Sequence, residues 1–264
     1  TRHDSHANLV ARALEHGKNV FVEKPLAISL EQLAKVVHAF EKSSLPHFQI
    51  GFNRRHSPAI ARVRDFFAER NEPMCLEYFV NAGAVPSGSW IQRSDIGGGR
   101  IIGEVCHFID LFQALTASSW QSLTADWVGS PSDGIPDDKV SIMLRFEDGS
   151  IGTIHFWASG PTSIPKERLM VMCGGRAAEM INFRRIELHD GKRRRTVRSM
   201  HQDKGHRRMI ESFFRVIQKG ESSSNFDEAV EVTLATFAAM EAGRSGRRQL
   251  LSEWKEKLTT GEQP

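Results

Sequence analysis

What most constrains this chain is the way helix-spaced and strand-spaced apolar residues alternate over its first fifty or so positions. Leu9, Val10, Ala13 and Leu14 recur at helical intervals, Gly17 closes the run as a C′ glycine does, and Asn19-Val20-Phe21-Val22 follows as a short strand. Ser29 then caps a second helix, with Gln32 in capping-box spacing and Leu30, Leu33, Val36, Val37 and Phe40 along one stripe. His47 to Phe52 reads as another strand. Such alternation builds a parallel sheet with crossover helices, of which residues 1–54 hold the last units.

A different pattern begins after Asn53-Arg54-Arg55. Ser57-Pro58 opens a helix through Phe67, and then short alternating runs predominate: Leu76 to Val80, Leu123 to Val128, Val140 to Phe146, Ile151 to Phe156, Arg168 to Met172, Ala177 to Ile181 and Arg185 to His189. Glu147-Asp148-Gly149-Ser150 and Asp190-Gly191 carry hairpin-turn chemistry. Helical patterns return at Gly205 to Ile217 and Phe226 to Ala242. The fold class expected is α/β in the α+β sense: a parallel remnant over 1–54, then an open, mostly antiparallel sheet over 55–264 with helices on one face.

Composition narrows the partners. A formal charge of +3, from 35 basic and 32 acidic residues, is close to balance and does not imply nucleic acid. Lys192-Arg193-Arg194-Arg195 with Arg198 reads as a solvated strand edge. No apolar run reaches the roughly 18 residues of a membrane span and no signal peptide is evident, so a cytoplasmic setting is expected. Cys75, Cys106 and Cys173 stand in no paired spacing and are expected to be buried, reduced and inert. His3-Asp4-Ser5-His6 offers three ligand types within one turn and no distant partner cluster, so no metal site is expected.

Chemistry concentrates at VFVEKP, residues 20–25. In doubly wound sheets, ligands lie outside the carboxyl ends of the strands, where Glu23-Lys24-Pro25 falls. Proline fixes its own backbone and lacks an N–H, so it holds the preceding lysine in a defined turn. An ammonium there can bond a substrate hydroxyl and stabilise alkoxide character as hydride leaves carbon. The plain alternative is a surface lysine paired with Glu23. Further on, Gly97-Gly98-Gly99 opens a helix on which Glu104 and His107 share a face, with Asp110 three residues beyond. A carboxylate beside an imidazole makes a general acid/base, whereas a lone histidine on an apolar helix would be a satisfied core residue. Among the tryptophans, Trp90 is the substrate candidate, because it precedes the glycine loop after the Gly/Pro/Ser-rich segment 82–89.

The opening Thr1, His3 and His6, then VFVEKP, GFNRR and the glycine-led helix with His107 and Asp110, in this order, resemble the glucose-fructose oxidoreductase / inositol dehydrogenase / MocA family of NAD(P)-dependent oxidoreductases. The resemblance implies a Rossmann domain followed by an open-sheet domain, hydride transfer between NAD or NADP and a hydroxyl carbon of a sugar or cyclitol, and homo-oligomers formed through the open sheet. It implies Lys24 and His107 as catalytic residues, Thr1, His3, His6, Glu23, Pro25 and Arg54 at the cofactor, and Asn53, Trp90 and Asp110 at the substrate.

Two departures qualify the pattern. Where the family has aspartate four residues before the histidine, this chain has Gly103, so either the neighbouring Glu104 substitutes or the proton relay is altered; i,i+3 spacing to His107 favours Glu104 as a catalytic residue. No G-x-G-x-x-G follows an early strand, and two βαβ units of about 30 residues each would be expected ahead of Thr1. The expectation is a truncated piece of a longer enzyme, inactive and weakly cofactor-binding alone. A competing reading is a non-catalytic carbohydrate-binding or assembly subunit.

Overall fold

The computed structural model describes residues 1–44, 47–86, 88–129, 139–219 and 225–261; Ser87, inside the segment 82–89, lies outside them. The first unit runs α1 (His6–Glu15), β1 (Val20–Val22), α2 (Leu30–Glu41) and β2 (Phe48–Ile50), with β1 and β2 paired in parallel, Val20 opposite Phe48 and Val22 opposite Ile50. Ser29 caps α2 by accepting from the Gln32 N–H, as the capping-box spacing requires. A 3₁₀ turn, Asn53–His56, leads from β2 into α3 (Pro58–Phe66), whose cap is Ser57.

The second unit holds β3 (Cys75–Asn81), α4 (Cys106–Thr116), β4 (Trp120–Trp127), β5 (Lys139–Phe146), β6 (Ile151–Trp157), β7 (Glu167–Cys173), β8 (Arg176–Ile181), β9 (Arg185–Asp190) and β10 (Arg193–Arg198). After these come α5 (His206–Lys219), α6 (Phe226–Ser245), β11 (Gln249–Leu250) and α7 (Leu251–Thr260). The described strands of this unit form one sheet in the order β10-β9-β8-β7-β3-β6-β5-β4-β11. Its pairings are antiparallel except β3 with β6, because β3 inserts between β6 and β7 instead of meandering to β4. The C-terminal β11 and α7 were not expected, although Leu251, Trp254 and Leu258 of α7 stand at helical spacing.

Period-two burial gives the sheet its two faces. Val140, Ile142, Leu144 and Phe146 of β5 and Leu76, Tyr78 and Val80 of β3 point inward beneath the helices, while Met143, Ile151 and Met172 lie open on the other side. Helix α6 is buried on nearly every side, which is why its sequence shows little amphipathic bias. Of the three free cysteines, Cys106 and Cys173 are buried, but Cys75 begins β3 on the open face and is exposed, correcting the expectation for that thiol.

Helix α4 approaches the sheet closely only because β6 offers a glycine. A Cβ on Gly152 would fall on the ring of Phe112, which is fully buried and has nowhere to move. Gly152→Ala is therefore expected to cost about 1–3 kcal/mol through overpacking. A thermal melt followed by circular dichroism checks this, and an unchanged midpoint would mean that α4 is not seated as described.

Candidate active site

Strand β1 stops at Val22, and the chain turns through an exposed Glu23, a half-buried Lys24 and a buried Pro25, with the Lys24–Pro25 peptide cis. The Pro25 carbonyl accepts from His6 Nδ1 at 2.9 Å, which anchors the turn to the start of α1. A carbonyl only accepts, so His6 carries its proton on Nδ1. Lys24 reaches across to the glycine-led segment, where Nζ donates to the Gly103 carbonyl at 2.6 Å and lies 3.6 Å from the Glu104 carboxylate.

The backbone of that segment explains the contact. Gly98 and Gly99 have φ of +73° and +77°, and a Cβ on Gly97 would strike the Ile91 carbonyl. Residues Ile101–Val105 then form a π-helical turn before α4 begins. A π turn bonds i→i+5 and so shifts the angular register of the residues after it. Glu104 and His107 consequently lose the i,i+3 stacking of a continuous α-helix. No hydrogen bond or ion pair joins them; Glu104 faces Lys24 instead, a correction to the sequence expectation.

His107 is 6% exposed, and its Nδ1 is buried without a hydrogen-bond partner. Burial pushes its pKa well below the usual histidine value, and the positive charges of Arg54, Lys24 and Lys204 push it further. The ring is therefore neutral at physiological pH. Phe52 meets it edge-on, with 6.0 Å between centroids.

Three other expected site residues are engaged elsewhere. Arg54 was expected at the cofactor, but it is buried, forks onto Glu167 at 2.9 and 3.2 Å, and stacks on Phe108 at 4.8 Å. Asn53 was expected at the substrate, yet it is 3% exposed and donates to the Lys204 carbonyl at 2.8 Å. Asp110, likewise expected at the substrate, is 1% exposed and held by Arg55 at 2.5 and 3.1 Å; burial raises its carboxyl to about 6 against that attraction. In each case the polar side-chain atoms are bonded to a partner far away in sequence.

Glu167 went unremarked in the sequence, although it occupies an inward position in the alternation of β7, where a charge is a signal. It also accepts from Tyr78 at 2.8 Å and from Lys204 at 2.6 Å. Burial alone would raise its carboxyl, but Arg54 and Lys204 hold it down at about 2.

On the other wall, Trp90 stands edge-on to His3 at 4.9 Å, and His3 Nδ1 lies 2.8 Å from the Gly97 carbonyl. Thr1, His6 and Glu23 line a groove of about 330 Å³ along β1 and α1. The sequence holds no glycine-rich strand-to-helix turn of the kind that cradles a pyrophosphate.

Comparison with known proteins identifies the family. The profile described as oxidoreductase family, NAD-binding Rossmann fold, matches residues 1–52, and that of the GFO/IDH/MocA C-terminal domain matches residues 70–173. Levoglucosan dehydrogenase of Pseudarthrobacter phenanthrenivorans is 29% identical over 179 residues, 57% of this chain and 46% of that enzyme. The scyllo-inositol 2-dehydrogenase (NAD(+)) of Bacillus subtilis is 31% identical over 163 residues, 60% of this chain and 46% of that one. The chain thus matches about half the length of these relatives. A levoglucosan dehydrogenase structure in complex with NADH and levoglucosan superposes with TM-score 0.81 at 21% identity, covering 95% of this chain and 78% of that chain. An oxidoreductase domain protein from Kribbella flavida superposes with TM-score 0.79 at 20% identity, over 95% and 78%.

The Glu167 cluster yields a prediction with a definite sign. Its pKa near 2 lies below the unfolded carboxylate value, so its stabilisation is complete above about pH 4.3 and is lost as pH falls towards 2. Glu167→Gln strands the Arg54 and Lys204 charges and is expected to cost about 3–5 kcal/mol at neutral pH. Urea denaturation across pH should show a smaller acid loss in the variant than in the parent, and equal acid slopes would count against the buried carboxylate.

Proposed function

Since the chain belongs to the Gfo/Idh/MocA family of oxidoreductases, we propose that it moves hydride between a nicotinamide cofactor, NAD or NADP, and a hydroxyl carbon of a sugar or cyclitol. The observation that carries this reading is the placement of Lys24: an ammonium at a parallel strand end, held by the Gly103 carbonyl, beside Glu104 and near a buried, neutral His107. Levoglucosan and inositol dehydrogenases among the relatives favour a polyhydroxylated substrate. They also weigh against a non-catalytic carbohydrate-binding subunit.

The division of labour follows from the geometry. Bound NAD(P) would supply the hydride acceptor or donor, with Thr1, His6, Glu23 and the Pro25 turn along its nicotinamide end. Lys24 donates to the substrate oxygen and stabilises negative charge as it develops there. Neutral His107 has an unfilled buried nitrogen and orients the same hydroxyl by hydrogen bonding. Trp90 presents an aromatic wall to the sugar ring. We divide the chain at 1–54, a cofactor-side unit, and 55–264, a substrate-side unit. Among the described residues no helix is long and apolar enough to cross a membrane, and three free thiols suit a reducing, cytoplasmic setting. The open sheet face, with Met143 44%, Ile151 38% and Met172 52% exposed, fits a second copy of the chain.

Activity is tested in the purified protein with a panel of sugars and cyclitols, following reduced nicotinamide. Lys24→Met should lower kcat by about 10³-fold or more while leaving cofactor affinity nearly unchanged, since the ammonium acts mainly on transition-state charge. Near-normal turnover in that variant would remove Lys24 from the mechanism.

A further inference from the structure

Two arginines stand side by side in the turn after β2, and they leave it towards different elements. Arg54 runs to Glu167 of β7, whereas Arg55 runs to α4: its Nε and Nη2 fork onto the two oxygens of Asp110 at 3.1 and 2.5 Å, and its Nη1 donates to Glu228 of α6 at 2.6 Å. Asp110 is three residues beyond His107, so the two are neighbours on one face of α4. The same segment of chain meets that helix at a second point, because Phe52, itself buried, sets its ring edge-on to His107. Residues 52–55 thus grip α4 both at the imidazole and nearly one turn past it.

We infer that Arg55 is a positioning residue of this site: by clamping Asp110 it fixes the distance and angle at which His107 stands to Lys24. The strut runs between the two through paired strands. Lys24 follows the end of β1, whose Val22 pairs with Ile50 of β2, and Arg55 lies in the turn that β2 leads into. A tie from that turn to α4 therefore spans the gap across which the lysine and the histidine address one hydroxyl. This role rests on the hydride-transfer reading above, in which both residues act on the same oxygen.

The helix needs such a tie because its connection to the glycine-led segment does not set its roll. The π turn Ile101–Val105 comes immediately before α4 and breaks the regular register. Phe112, two residues past Asp110 and so on the opposite side of α4, packs against Gly152 of β6 and seats the helix on the sheet. Arg55 supplies the hold on the side that bears His107. Asp110 is almost wholly buried, so α4 cannot roll away from the guanidinium without stranding a carboxylate. A planar fork on both oxygens restrains angle as well as distance, which a lysine ammonium in its place would not do.

Two arms test this in the purified protein. The first reads no turnover: in ¹⁵N NMR of the histidine rings, with the His107 signals identified by their loss in His107→Asn, Arg55→Lys should move the His107 resonances and leave those of His6 in place. Unmoved His107 resonances overturn the assignment. The second is kinetic. Arg55→Lys keeps the charge and loses the fork, and should lower kcat by about tenfold or more with the cofactor KM little changed. In a His107→Asn background the same change should lower kcat by less than about twofold, since a strut acting through His107 then has nothing left to position. A residue that only stabilised the fold would lower the melting temperature and leave both readouts as in the parent. Near-parental kcat in Arg55→Lys, or the full loss repeated in the His107→Asn background, sinks the positioning role. If Arg55→Lys does not fold, Asp110→Asn weakens the same fork from the other end and carries the same expectations. A parent protein that reduces no nicotinamide with any polyol sinks the hydride reading, while the NMR arm still decides whether Arg55 sets the His107 ring.

Discussion

A carboxylate placed in an apolar row holds the two units together. Glu167 begins β7 on the inward face shared with Leu169 and Val171, where it can stay ionised only if its charge is matched and its lone pairs are filled. The matching groups come from separate parts of the chain: Arg54 from the turn after β2, Tyr78 from β3, and Lys204 from the loop before α5. Gly205 lets that loop lie flat on the turn, since a Cβ there would be 2.5 Å from the Asn53 carbonyl oxygen and from the Ser57 nitrogen. Such a cluster contributes little net stability compared with an apolar replacement, but any other docking of the parallel pair would leave a buried charge unmatched. It therefore specifies where the end of β2 meets the large sheet, and hence which groups surround His107.

The π turn is the second determinant, and it acts on the opposite wall. A continuous α-helix from Arg100 would align Glu104 with His107; the wide turn breaks that alignment and places Glu104 beside Lys24. The same turn lets the Gly103 carbonyl accept from the ammonium. The lysine is thus fixed by a backbone dipole as well as a side-chain charge. Glycine at 103 is consistent with this packing, because His3 already lies where a side chain would begin.

Much of the fold was legible because it rests on local chemistry. Ser29 and Ser57 caps, the Gly17 stop, the Asp-Gly turns and period-two burial in β5, β6 and β7 all act within a few residues of sequence. The insertion of β3 between β6 and β7 was not legible, since period two reports a face and not a neighbour. In the site, the place of Lys24 at a strand end could be read, whereas the partners of Arg54, Asn53 and Asp110 could not, for one shared reason. Each has a partner more than 50 positions away, namely Glu167, Lys204 and Arg55, and a polar residue sealed by a distant partner looks the same in sequence as one open to a ligand. Glu104 was misplaced because spacing arguments presume an α-helical register that the π turn does not keep.

The charges that act on His107 show why one cation, and not its neighbours, can serve a reacting oxygen. Arg54 and Lys204 share Glu167, which is wholly buried, at distances of 2.6 to 3.2 Å, and neither can leave without stranding that carboxylate. Lys24 differs on both counts: its carboxylate partner Glu104 is 3.6 Å away and 37% exposed, so water can take over if the ammonium shifts. Arg54, Lys204 and Lys24 against Glu167 and Glu104 leave an excess of one positive charge. The excess sits where it can move least expensively, on Lys24, between a backbone carbonyl and the mouth of the site. In the proposed reaction, an oxygen acquiring negative charge there would meet an ammonium already aimed by Gly103 and only loosely held by Glu104, which is the condition for stabilising a developing alkoxide more than a neutral hydroxyl.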